Sequence, residues 1–393
     1  NEYNYNKEYK MKVIIKYLFN VIFIFLLNIS YVCANENIKI GLLAPFTGEY
    51  ADIGKSIIQS TRMGVNKIDD SKILILPRDT KSDPQETLNK VEELYAEGVK
   101  IFIGPVFNKN LKGLNKFEDA IFLSLTNKIL NNPNNVISAG INAKSQFDAI
   151  KKFQEINELK ETLVLIPKKD YKEEIEEAII KSKIKTKKVF YYDIDPTKLT
   201  KQIEKITRYK IRKKTLKDEI KRVKNSDDPN KEKKLEILNK KDTIGKIGYD
   251  SIIIADFDES LKSVATSLLY TDVSPKKITF ISLNQWFDET LFKETTSQPI
   301  SFPSINKKNY DNFRRDYNKT FNEYPNQLSM LSYDLVGLVY YLLLQNNFEI
   351  DNKLFSKKNK FKGVSGIFEI NNKKINHLLN FYKVEGDKFI EIF

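Results

Sequence analysis

The chain has 393 residues, 41% hydrophobic, 12% aromatic and 30% charged, with one Cys, one His and one Trp. That length supports one large or two medium cores; the cysteine count excludes a disulfide-stapled scaffold, and the composition excludes wholesale disorder and a multi-span membrane protein. Lys and Arg number 65 against 52 Asp and Glu, a net +13 whose placement decides its meaning.

The first ten residues are polar, so translation is expected to start at Met11. Lys12 and Lys16 precede an apolar run over 17–29, broken only by Asn20 and Asn28, and Val32-Cys33-Ala34 leads into polar Asn35-Glu36-Asn37. This is the plan of a cleaved secretory signal peptide. Residues 1–34, with the lone Cys, are expected to be removed and the mature protein to be periplasmic. The run is shorter than the ~20 residues of a membrane span, and Val32 is bulkier than the residue that usually precedes a lipidated Cys.

Strands and helices then alternate. A strand over 38–43 leads to a helix over 54–68; strand 73–76 leads to helix 86–96; strand 101–103 to helix 111–117; and a strand follows at 121–123. Four strands joined by helices imply a parallel sheet with right-handed crossovers. A second series has strand 162–166, helix 171–180, strand 189–192, strand 251–255, helix 261–270 and strand 278–281. Helices at 310–321 and 328–344 precede strands at 366–370, 378–384 and 389–392, with turn signals at Asn371-Asn372 and Glu385-Gly386-Asp387. The fold class expected is α/β with two doubly wound halves.

Between Lys205 and Lys241 stand 15 basic and 6 acidic residues, most of the chain's positive excess. Apolar residues at Ile203, Ile206, Leu216, Ile220 and Val223 predict one long helix. A turn at 225–229 and a second helix through Leu235 and Leu238 complete a projecting helical hairpin, read as a solvated arm or as a docking arm for an anionic surface or protein. A nucleic-acid binder is expected to show a basic face built into its fold with aromatic or Arg readout, whereas here the excess sits in one Lys-rich segment.

Residues 48–56 resemble a phosphate loop, Gly48 leading to Gly54-Lys55-Ser56, and Ile252 to Asp256 resembles a magnesium-binding strand. Five residues separate the glycines where four are needed to converge N–H groups on one anion, so nucleotide binding is not expected. His377, among Asn and Lys, is read as a surface residue with no second His to form a metal site. Ser365 in Gly363-Val364-Ser365-Gly366 lacks the spacing of a nucleophile elbow. No catalytic residue, metal or cofactor is expected.

In open α/β sheets ligands sit beyond the carboxyl ends of strands. The residues there are polar and aromatic: Thr47 and Tyr50, Phe107 and Asn108, Ser124, Thr126 and Asn127, Tyr171, Asp256, and Asn284-Gln285-Trp286. From these, Thr47, Tyr50, Phe107, Asn108, Ser124, Thr126, Asn127, Tyr171, Asp256 and Gln285 form the candidate set for a small polar ligand, although each also suits a cap or turn.

Ile40-Gly41-Leu42-Leu43-Ala44-Pro45-Phe46-Thr47-Gly48 with Ala51 and Gly54, Ile103-Gly104-Pro105, and Gly363-Val364-Ser365-Gly366-Ile367-Phe368 resemble type I periplasmic binding proteins, the leucine-binding-protein-like superfamily. Leu76-Pro77-Arg78-Asp79-Thr80, Ile103 to Phe107 and Ser124-Leu125-Thr126-Asn127 resemble its penicillin-binding protein activator branch. The resemblance implies two doubly wound lobes joined by three crossovers, without catalytic activity. Lobe 1 would comprise 35–145 and 283–347, and lobe 2 would comprise 146–282 and 348–393, with a basic insertion at 200–241. It implies a monomer that regulates a peptidoglycan synthase or, alternatively, delivers amino acids or similar small polar solutes to an ABC permease. Amino-acid binders of the superfamily offer a Ser or Thr after the third strand, where this chain has Phe107-Asn108-Lys109.

Overall fold

The structure is a computed structural model that describes Lys16, residues 37–351 and residues 353–393. The expected signal peptide, including Cys33, lies outside the described residues apart from Lys16.

In the first lobe five parallel strands lie in the order β2-β1-β3-β4-β5: β1 Ile38–Ala44, β2 Ile73–Asp79, β3 Ile101–Ile103, β4 Ile121–Ser124 and β5 Val136–Ser138. Side chains alternate across a strand, so Leu42 enters one core with Ile57 of helix α1 (Ala51–Ile68), while Leu43 enters the other with Val91 and Leu94 of α2 (Pro84–Ala96). A sheet covered on both faces needs apolar residues at successive positions, which the run Ile40 to Ala44 supplies around Gly41. Asp83 caps α2 by accepting from the Glu86 N–H, with Pro84 in the first turn where its missing donor costs nothing. The helix expected over 111–117 is instead two short 3₁₀ turns separated by Gly113 at φ 84°.

The second sheet has the order β15-β14-β10-β9-β8-β6-β7. Its parallel strands are β6 Thr162–Pro167, β7 Lys188–Tyr192, β8 Ser251–Ile254, β9 Thr279–Ser282 and β10 Ile300–Ser304. At one edge β14 Asn380–Glu385 and β15 Lys388–Glu391 run antiparallel. Helices α3 Ala143–Ile156, α4 Lys172–Ser182, α5 Pro196–Ile206 and α8 Asp258–Tyr270 pack on this sheet.

Helix α9 Lys307–Phe321 places Tyr310, Phe313 and Tyr317 in the second core, whereas α10 Ser329–Gln345 places Leu335, Leu338 and Leu342 in the first. A third, antiparallel sheet of β11 Asn359–Lys362, β12 Ile367–Asn371 and β13 Lys374–Leu378 packs Phe368, Ile370 and Ile375 into that same first core. The expected lobe boundaries are corrected accordingly. The chain does not leave the second lobe near residue 283 but stays through β10 and α9, and the segment 348–378 belongs to the first lobe. The run Ile-Ser-Phe-Pro-Ser of β10 was hidden by its Pro, and a hairpin's alternation does not say which core it covers.

The crossover after β5 and the start of α3 are bonded to β13, just before the chain crosses again. Asn142 accepts from the Ser145 N–H and donates to the Ile375 carbonyl at 2.9 Å; the His377 N–H donates to Ser145 Oγ, and His377 Nε2 lies 2.9 Å from the Ala139 carbonyl. His377 is thus buried in the hinge, not at the surface as expected. Asp334 on α10 accepts from the Val364 and Ser365 N–H groups and the Ser365 hydroxyl. The Gly-Val-Ser-Gly motif is therefore a loop wrapped on a carboxylate, and a Cβ on Gly363 would lie 2.4 Å from Asp334.

Between β7 and β8 stand α6 Tyr209–Lys224 and α7 Lys231–Asn239. The single long helix expected from residue 203 is broken, because Thr207 turns its hydroxyl onto the Ile203 carbonyl and Arg208 is left-handed at φ 55°. Helix α6 is seated rather than projecting: Tyr209, Arg212, Leu216 and Val223 are buried, and Arg212 donates to the carbonyls of Thr207 and Thr271 and to Thr243 Oγ1.

Candidate functional site

Between the two lobes lies a cavity of about 330 Å³. The first lobe contributes Phe107 and Asn108 after β3 and Thr126, Asn127 and Lys128 after β4; the second contributes Phe257 after β8 and Asn284 and Trp286 after β9. A neighbouring cavity of about 260 Å³ shares Phe257, Asn284 and Trp286 and adds Asp258, Gln285 and Asp288. The two form one cleft with aromatic walls, beyond the carboxyl ends of strands from both sheets.

Of the expected residues, Phe107, Asn108, Thr126, Asn127 and Gln285 therefore meet at the cleft. Tyr50 stands at its edge, its ring 4.7 Å from that of Phe107. The others serve the scaffold. Thr47 donates to Asp79 Oδ2 at 2.5 Å, tying the loop after β1 to the end of β2, and Asp79 is held below its usual carboxylate range by Thr47 and the N–H groups of Lys81, Phe46 and Thr47, against a partial burial that acts the other way. Ser124 is fully buried and donates to the Pro105 carbonyl at 2.7 Å. Asp256 is turned into the second lobe, where it accepts from Lys169 Nζ at 2.7 Å, Tyr171 OH at 2.9 Å and Tyr192 OH at 2.6 Å. Burial, reinforced by that carboxylate, pushes both tyrosine hydroxyls far above their ordinary range, so both stay protonated donors. Tyr171 reaches the cleft only by packing on Phe257, ring centroids 5.7 Å apart.

Lys55, in the segment that resembles a phosphate loop, pairs with Glu323 at 2.6 Å. Gly54 is there because a Cβ would lie 1.9 Å from the Pro45 carbonyl. Among the described residues no group of three or more His, Cys, Asp or Glu could hold a metal ion, and no helix is long and apolar enough to cross a membrane.

The first cavity is lined by donors from Asn284, Thr126 and Lys128, while the neighbouring one adds the Asp258 and Asp288 carboxylates. Asn284 is buried, and its Oδ1 accepts from the Trp286 N–H at 3.0 Å and Ser304 Oγ at 2.8 Å; this fixes the amide and leaves Nδ2 unspent at the cleft wall. Thr126 Oγ1 accepts from the Lys128 N–H and keeps its own hydrogen. Lys128 lines the same cavity. Gln146, at the start of α3, accepts from the Asn284 N–H at 2.8 Å and fixes that loop. Trp286 and Phe287 both have positive φ, 49° and 59°, a costly conformation for bulky residues that recurs at binding sites.

A bond also joins the lobes beside the cleft. Glu174 on α4 accepts from the N–H groups of Ile129 and Leu130, in the loop after β4, at 2.9 and 2.8 Å. Lys128, Phe257 and Gln146 were not in the expected set. Each is adjacent in sequence to an expected residue or begins a helix, and only the tertiary fold shows which neighbour faces the gap.

Residues 37–143 match the family described as periplasmic binding protein. An uncharacterized protein of Methanocaldococcus jannaschii is 32% identical over 103 residues, 23% of this chain and 25% of that protein, so the chain spans about a quarter of the length of that curated relative. Among solved structures, a putative branched-chain amino acid ABC transporter protein from Rhodospirillum rubrum is similar over 91% of this chain and 100% of its own, with a TM-score of 0.68 and 12% identity. The C-domain of LpoA from Haemophilus influenzae, a regulator of PBP1A, is similar over 90% of this chain and 100% of its own (TM-score 0.57, 14% identity). A solute binding protein of an ABC transporter from Rhodopseudomonas palustris, in complex with 3,4-dihydroxy benzoic acid, is similar over 91% and 96% (TM-score 0.56, 15% identity). The chain has the type I periplasmic binding protein fold, and in residues 37–143 it carries the sequence pattern of that family.

Proposed function

We propose that the protein is a non-enzymatic binding protein of the cell envelope whose lobes close on a small polar carboxylate. The observation that carries this reading is the donor set facing one interlobe cavity: the unspent amide of Asn284, the hydroxyl of Thr126 and the Lys128 cation, between the aromatic walls of Phe107, Phe257 and Trp286. Convergent donors suit the oxygens of a carboxylate, and flat aromatic walls suit an apolar or ring-shaped body. The similar solved structures named above are of binding or regulatory proteins, which supports a binding role. Delivery of the solute to an ABC permease is the role that follows.

A thermal-shift screen over amino acids, short peptides and hydroxybenzoates tests this. A ligand that binds only the folded state stabilises by about 2.7 kcal/mol at a hundred times its Kd, so a concentration-dependent rise in melting temperature is expected for at least one carboxylate and none for its amide. A screen with no hit contradicts the proposal.

One observation favours a second reading, regulation of a peptidoglycan synthase. The hydroxyls of Thr47 and Ser124 are spent within the chain, and the Tyr50 and Phe107 rings pack against each other, tilted by 54°, where an amino-acid binder would offer a hydroxyl. Capture of a purified synthase by the full chain, undiminished by any solute, supports this reading.

A further inference from the structure

The positive charge of α6 is arranged as a line. Lys210, Lys214, Lys217, Lys221 and Lys224 recur at intervals of four, three, four and three residues, and all five are exposed. On a helix of 3.6 residues per turn this spacing puts them on one face, over roughly 20 Å. Lys210 has Glu204 at 3.8 Å, while Lys214, Lys217, Lys221 and Lys224 reach no carboxylate among the described residues. Of the two acids on α6, Glu219 is held by Arg222 and Asp218 flanks the line.

The opposite face is anchored through Arg212, Leu216 and Val223, so the line is presented on a fixed rod. Ile211, 55% exposed, stands beside Lys214 one turn away. Helix α7 adds exposed Lys233, and Lys241 follows its C-terminus beside Lys240, which is paired with Glu236 at 2.6 Å.

We infer that this face docks on an anionic lipid surface. The chemistry separates this occupant from others. Lysines are point charges on flexible stems, without the planar fork that Arg offers to a defined carboxylate or phosphate. The face has no exposed aromatic residue to stack a nucleobase or anchor a protein hot spot. A straight, convex row of flexible cations with one exposed isoleucine fits a flat, fluid, negative surface, into which Ile211 dips while the lysines reach the headgroups. The inference is independent of what the interlobe cleft binds.

The test is sedimentation of the mature chain, residues 35–393, with phosphatidylcholine vesicles with and without phosphatidylglycerol. The wild type is expected to bind only the anionic vesicles and to be released by salt. Replacing the five lysines together (K210Q, K214Q, K217Q, K221Q, K224Q) leaves helix propensity nearly unchanged. Each juxtamembrane lysine contributes about five-fold to partitioning, so a loss of at least about a hundred-fold is expected. A control removes the same charge from exposed positions elsewhere (K112Q, K116Q, K160Q, K308Q, K319Q) and is expected to bind like the wild type; unchanged melting of both variants keeps folding out of the comparison. Failure of the wild type to bind, equal loss in the control, or equal retention on polyglutamate at matched charge overturns the inference.

Discussion

Asp334 and His377 are both fully enclosed, and enclosure moves them in opposite directions. Burial lifts Asp334 from 3.8 to about 6 against the pull of its Ser365 and Val364 donors, and burial lowers His377 from 6.5 to about 4 against its bond to the Ala139 carbonyl. The raised acid contributes stability that is complete below pH 3.8 and is lost as pH rises through about 6. The depressed base contributes stability that is complete above pH 6.5 and is lost as pH falls through about 4. Between pH 4 and 6 the slopes oppose, each spanning about 3 kcal/mol. Urea unfolding at several pH values is expected to show His377→Gln gaining stability relative to wild type as pH falls through this window, and Asp334→Asn losing it. Parallel curves for all three contradict the assignment. At neutral pH Asp334→Asn is also expected to cost about 1–3 kcal/mol, because an amide offers one acceptor and turns its own donor toward the Ser365 N–H. Gly54→Ala is expected to cost about 1–3 kcal/mol in the same measurement, since α1 must move off the Pro45 carbonyl.

At the scale of elements, Arg212 decides whether the helices between β7 and β8 are part of the second lobe. Its guanidinium spans three acceptors, two on the breaks flanking α6 and α8 and one on Thr243, and Thr243 in turn donates to Asp272 at 2.5 Å. A lysine cannot reach all three. In Arg212→Lys, hydrogen exchange is expected to rise throughout α6 and α7 while β6 and β8 stay protected; uniform protection contradicts the anchoring role. The basic character of this segment was plain in the sequence, whereas its seating was not, because one of three Arg among fifteen basic residues gives no sign that it points inward. Strands such as β1, β6 and β8 were legible because burial on both faces demands unbroken apolar runs. β5, with three residues, and β10, with a Pro inside it, fell below that signal. The candidate site was half legible: loop positions after strands were found, but Asp256 turning inward and Phe257 outward is decided by packing with Lys169 and Tyr192.

Across the whole molecule the lobes are joined by three crossovers and clasped beside the cleft by Glu174. Two N–H donors on one carboxylate are worth about 1.5–3 kcal/mol. Glu174→Ala is therefore expected to shift the lobes apart and weaken solute binding about ten-fold or more, with the melting temperature of the free protein little changed; unaltered affinity contradicts a closing motion.

The chain's single tryptophan, Trp286, lines the interlobe cavity. Its fluorescence reports closure without a label. Titration with the carboxylates that stabilise the protein is expected to give a saturable shift of emission for the wild type. The shift is expected to be abolished in Asn284→Asp, which keeps the acceptor for Trp286 and Ser304 but removes the donor. Emission that does not change with solute, or that changes equally in Asn284→Asp, would contradict recognition in the cleft.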